Sequence, residues 1–182
     1  MWTGDWWWNV QAKLPKGAVV TLVILSLDKT SLSQFSRDKK AWLVYLTIGN
    51  ISKDVRHLVS AHATVLIGYL PVSKLKCFQK KSRSVAGYCL FHHSMSLLLC
   101  PLVDAGRHGR EMICTSGYLH HVHPILAVYI ADFPEQCLVA CNKESWCLCC
   151  LVQSNKCGNL EEWASQSMAD MLKTLYHMRK NK

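Results

Sequence analysis

The run AVVTLVILSLDKT, from Ala18 to Thr30, constrains the fold more than any other feature. Its valines, isoleucine and threonine branch at Cβ, which favours extended backbone over helix. It is far shorter than the ~20 residues a membrane-spanning helix needs. It therefore reads as a buried strand over residues 18–27, and it ends on an acid, Asp28. Either Asp28 is a turn residue or the strand carries a functional carboxylate to its exit.

The rest of the chain supplies neighbours for this strand. AWLVYLTIG from Ala41 and TVLIGYL from Thr64 are two more strand candidates, and short polar, lysine-containing links between the three predict an antiparallel meander. After the basic link KCFQKKSRS, a stripe of Tyr88, Phe91, Met95, Leu98 and Leu102 at helical spacing predicts a core-facing helix closed near Pro101–Gly106. VHPILAVYIAD is a fourth strand candidate and QCLVAC a fifth. The fourth also ends on an acid, Asp132. If the helix is a crossover, strand four lies parallel to strand one and both acids reach the same edge. Ligands of open α/β sheets collect at such edges, and paired carboxylates there suit hard divalent cations. Towards the C-terminus, Asn159 and Glu162 have the spacing of a capping box. They would open an amphipathic helix with Leu160, Ala164, Met168, Met171, Leu175 and Met178 on one face. The expected organisation is a core over 1–140, a cysteine cluster over 141–158 and a helix over 159–182.

Charge narrows the class of partner. Twenty-one Lys and Arg against 12 Asp and Glu leave +9 across 182 residues, a balance that suits a polyanion such as nucleic acid. The link Lys74 to Arg83 is either a solvated connection or part of that contact, and Trp2, Trp6, Trp7 and Trp8 either stack on bases or form an apolar flap. No targeting segment or membrane span is evident, so a nuclear or cytoplasmic protein is expected. At this length, ten cysteines point to free thiols or metal ligands rather than disulfides. In CNKESWCLCCLVQSNKC, Cys147 and Cys150 have the C-x-x-C spacing of a thiolate pair gripping one Zn²⁺, with Cys141 and Cys157 available to complete four ligands at ~2.3 Å. Buried or redox-active cysteines are the alternative. His120, His121 and His123, and the pair His92 and His93, are rival metal ligands. Strand alternation puts His121 and His123 on one face.

The segments MWTGDWWW, LPKGA, LDKTSLSQFSRDKKAWLVYLTIGNISKDVR, VLIGYLPVSKL and HPILAVYIADFPEQCLVACNKES, in that order, closely resemble the Plavaka-type transposases of fungal DNA transposons, within the Kyakuja, Dileera and Zisupton superfamily. The resemblance runs to about Gly158. It implies a ribonuclease H-like core whose acidic residues bind two Mg²⁺ or Mn²⁺ ions for DNA strand cleavage and transfer, with Asp28 of LDKT as the first catalytic acid. Asp132 is the choice for the second, by its place at a strand end. The resemblance also implies a zinc knuckle in the cysteine cluster. Ser116 and Gly117 stand where the family pattern has Asp-Gly, and Arg37 stands where it has glycine. Asn142, Trp146, Leu148 and Cys149 replace the Cys, Arg, Pro and Lys expected around the knuckle. Glu161, Glu162 and Asp170 are the positions from which a third acid could come. Family transposases being much longer, the expectation is an internal fragment that binds DNA weakly and is inactive alone. A nonenzymatic zinc-linked module binding nucleic acid or a transposase-derived protein is the alternative.

Overall fold

The computed structural model describes residues 4–31, 40–142, 146–152, 154–167 and 169. The chain divides into two compact units, Met1–Asp132 and Phe133–Lys182.

The first unit is built on a five-stranded mixed sheet, β1 (Ala18–Ser31), β2 (Lys40–Ile48), β3 (Thr64–Pro71), β4 (Arg110–Ile113) and β5 (Leu119–Ile130), in the order β3-β2-β1-β5-β4. Three helices accompany it: α1 (Asp5–Gln11), α2 (Lys53–His57) and α3 (Arg83–His108). The long branched run is the central strand, and Val20, Leu22, Val23 and Leu25 of β1 are fully buried with Val44 of β2. β1, β2 and β3 form the expected antiparallel meander. Past the last β1–β2 pair, Val23 with Ile48, the Asn50 side chain continues the pairing. Its Oδ1 accepts from Leu22 N–H at 2.9 Å and its Nδ2 donates to Val20 C=O at 2.9 Å. One amide thus satisfies a buried donor and acceptor where the strand partner has ended.

β5 pairs with β1 in parallel, from Ala18–His121 to Ser26–Ile130, with a register shift between Val23 and Ile24 that leaves Ala127 as the extra residue. The predicted adjacency of the first strand and VHPILAVYI is therefore present. Its route is longer than expected, because the edge strand β4 intervenes and pairs antiparallel with β5. All four residues of β4 are exposed, so no apolar pattern announces it.

α3 is the connection between β3 and the β4–β5 pair, and it ends two residues past the expected Pro101–Gly106 region. It runs on to His108 with Pro101 inside. The lost hydrogen bond at proline is tolerated at this exposed position, and the helix stops at Gly109, whose φ of +69° a side chain would disfavour. Phe91 and Met95 seat α3 in the core, and Phe91 meets Trp42 edge to face at 5.3 Å. Near its end α3 comes so close to β5 that a Cβ on Gly106 would stand 2.8 Å from Pro124 O. Tyr88, expected on the core stripe, is exposed. By length and composition α3 could cross a membrane, which reading apolar runs missed because histidines and serines interrupt them. Here it packs on β3 and β5.

In the second unit, QCLVAC is not a strand. It belongs largely to α4 (Phe133–Val139), which Pro134 in the first turn pre-organises and which buries Cys137. The helix expected to open at Asn159 is absent over 159–167. Leu151 N–H donates to Ala164 O and Gln166 N–H to Cys149 O, and Cys150 bridges Ser165, so this backbone is committed to non-local pairing. Met168, Met171, Leu175 and Met178 lie outside the described residues, as does the Asp170 candidate.

Candidate functional site

Asp132 follows the end of β5 as expected, whereas Asp28 lies inside β1, which continues past the expected end at residue 27 to Ser31. Each lies two residues beyond the last parallel pair, Ser26 with Ile130, so neighbouring parallel strands deliver two acids to one sheet edge. Both are exposed. Asp28 is still within β1, opposite Leu43 of β2, and its Oδ2 accepts from Thr30 Oγ1 at 2.6 Å. The next residue, Lys29, holds its Nζ 5.0 Å from the centroid of the Trp42 ring. Lys29 and its register partner Trp42 thus lie on the sheet face opposite Asp28, where Trp42 also packs on Phe91 of α3. Trp42 was not singled out by sequence, although an aromatic next to the core alternation of β2 was visible.

Glu161 and Glu162 are exposed residues of the second unit. Among the described residues no group of three or more His, Cys, Asp or Glu is arranged to hold a metal ion. The acid edge thus carries two exposed carboxylates, Asp28 and Asp132.

The histidines divide. His121 and His123 share a face as alternation required, with rings 5.0 Å apart. His123 is buried, its Nδ1 is 3.0 Å from Gly106 O, and its Nε2 has no protein partner. His120 is half-buried, while His93 is exposed on α3. His92 lies edge to face against Phe91.

The basic link is an exposed surface: Lys74, Lys76, Lys80 and Lys81 are all exposed, and Arg83 ties the link to α3 by donating from Nε to Phe78 O at 3.0 Å. Trp6 and Trp8 of α1 are exposed as well, and Trp2 lies outside the described residues. α1 itself is anchored through Gln11, which donates to Ala18 O and accepts from Val20 N–H.

In the second unit, Cys147, Cys150 and Cys157 line one cavity of about 520 Å³ together with Phe133, Trp146 and Trp163. Cys141, by contrast, stands just past α4 with a left-handed backbone, φ +56°, and does not line that cavity. The Cys147 thiol is held below the usual thiol range, chiefly by the backbone N–H of Cys149, then by that of Cys150 and by the Cys150 thiol. For Cys150, the Val152 N–H acts downward, but the Cys147 sulfur, desolvation and the neighbouring thiolate charges prevail and push it up. The C-x-x-C pair is thus electrostatically unequal. The four-cysteine ligand set is not gathered as a tetrahedral site among the described residues.

A family model described as Plavaka transposase matches residues 1–182. No curated protein and no solved structure matches the chain. A match over the full 182 residues means that this chain belongs to the Plavaka transposase family.

Proposed function

We propose that the sheet is the core of a DDE-type DNA transposase of ribonuclease H-like kind, in which Asp28 and Asp132 hold a divalent cation, Mg²⁺ or Mn²⁺, beside a DNA phosphate. The parallel register of β1 and β5 carries this reading, because it brings the two acids to the same edge without any contribution from loop geometry. When bound, such ions activate the attacking oxygen and stabilise the leaving one during in-line displacement at phosphorus. The protein's own part is to position. Thr30 Oγ1 donates to Asp28 and orients its carboxylate, and β1 is locked between β2 and β5 by hydrogen bonds on both sides. Lys74, Lys76, Lys80 and Lys81 supply exposed charge for phosphates.

Two carboxylates hold one ion, whereas the reaction needs a further acid for a second. The reading therefore predicts that the described acid pair does not by itself cut DNA. Mn²⁺ titration followed by electron paramagnetic resonance tests the acid pair. Asp28→Asn and Asp132→Asn should each weaken binding by about tenfold or more, roughly the loss of one ligand-scale interaction. Unchanged Mn²⁺ affinity in both variants overturns the assignment. Supercoiled plasmid should remain intact with Mg²⁺ or Mn²⁺, and robust nicking abolished by Asp28→Ala would show that the site is complete.

A further inference from the structure

We propose that His121 and His123, with water completing the shell, bind one borderline divalent transition-metal ion, Zn²⁺ foremost, against the C-terminal turn of α3. The first observation is the pairing of the rings. Both side chains leave the same face of β5, and their rings lie 5.0 Å apart, centroid to centroid, with the planes at 73°. Each ring also rests on the end of α3. His123 Nδ1 is 3.0 Å from Gly106 O, and His121 fills the space that a side chain at Gly109 would take, since a Cβ there would collide with His121 Nε2. The absence of a side chain at Gly109 is therefore what lets the second ring reach the first.

The second observation fixes the state of His123. A carbonyl oxygen only accepts, so Nδ1 carries the ring proton and Nε2 presents a lone pair. His123 is only 5% exposed, and among the described residues nothing hydrogen-bonds to that Nε2. A buried nitrogen left unpaired is costly, and a cation bound to it removes the cost. A histidine whose other nitrogen donates to a backbone carbonyl is also the form in which imidazole commonly ligates a metal.

The third observation is the setting. Gly106 O is among the last carbonyls of α3, and the C-terminal end of a helix favours positive charge. His121 opens on a cavity of about 330 Å³ that Lys16 and Glu111 also line, which gives ions and water a way in. Glu111 stands opposite His121 in the β4–β5 register, so its carboxylate offsets the Lys16 charge. Neutral imidazole suits Zn²⁺, whereas Mg²⁺ and Mn²⁺ prefer oxygen donors such as those of the acid edge. No third His, Cys, Asp or Glu is gathered with the pair among the described residues, so the remaining positions fall to water. The rings stand near the start of β5 and Asp132 follows its end, so this site is separate from the acid pair.

The test titrates the reduced full chain with Co²⁺, a coloured stand-in for Zn²⁺, and then displaces it with Zn²⁺. Wild type should take up one Co²⁺ whose ligand-field bands appear without thiolate-to-cobalt charge transfer, and Zn²⁺ should bleach them. Losing one of two protein ligands should cost no less than the roughly 10–100-fold that follows loss of an outer-shell partner. His121→Ala and His123→Gln should therefore each weaken these bands' binding constant about tenfold or more. His93→Ala, Cys147→Ser and Asp28→Asn should leave it unchanged. His121 is exposed, so His121→Ala carries the test by itself if circular dichroism shows that His123→Gln does not fold. Unchanged affinity in His121→Ala overturns the proposal. So does Co²⁺ held only through thiolates, or an equal loss in His93→Ala, which would mean binding by surface imidazoles in general.

Discussion

Cys114 stands in the turn between β4 and β5, its sulfur 3.0 Å from Ser116 Oγ, and the turn is closed by Cys114 N–H donating to Tyr118 O. The Ser116 hydroxyl, then the Ser116 N–H, hold this exposed thiol below the ordinary thiol value, because a donor aimed at sulfur favours the thiolate. The sign is therefore toward reactivity at lower pH. Alkylation by iodoacetamide, followed at the Cys114 peptide across pH, should show a midpoint below the usual thiol value, and Ser116→Ala should move it upward. A midpoint that does not move removes the hydroxyl as the cause. Ser116 was noticed in the sequence only as a departure from the family's Asp-Gly, and its effect on Cys114 depends on a turn that the sequence did not define.

The element that decides the architecture is α3. Its seat on the sheet is narrow, resting on Phe91 and Met95, while Val85, Leu97 and Val103 remain exposed. Removing the Phe91 ring deletes the edge-to-face contact with Trp42 and leaves a cavity beside β2, so Phe91→Ala should cost about 3–5 kcal/mol. Denaturant unfolding checks this, with Phe91→Leu as the milder variant if the alanine form does not fold. A loss below about 1 kcal/mol would mean that α3 is not held through this residue. The helical period of Tyr88, Phe91, Met95, Leu98 and Leu102 correctly announced a helix, and the Pro101–Gly106 region placed its end within two residues of His108. Pro101 is tolerated inside the exposed helix, and Gly109 supplies the stop.

Across the whole molecule, the excess of cations predicts a DNA interaction dominated by phosphate charge. Affinity for duplex DNA should fall linearly on a logarithmic salt scale. Replacing Lys74, Lys76, Lys80 and Lys81 with glutamine should reduce the slope by roughly 3 to 4, if each neutralises one phosphate. Fluorescence anisotropy across a salt series measures it, and an unchanged slope would place the contact elsewhere. The sequence by itself announced β1, β2, β3 and β5, the meander, the crossover helix and the family. These are local matters of branched side chains, period and residue order. Only the tertiary structure decided the remainder. β4 forms because β5 offers it a pairing edge, since its own four exposed residues carry no signal. Residues 159–167 give up the helix their capping pattern favoured because Ala164 and Gln166 pair with the cysteine turn. The four cysteines separate into a cavity-lining set and an outlying Cys141 for the same reason: spacing along a chain fixes reach, whereas convergence depends on which backbone groups find partners across the fold.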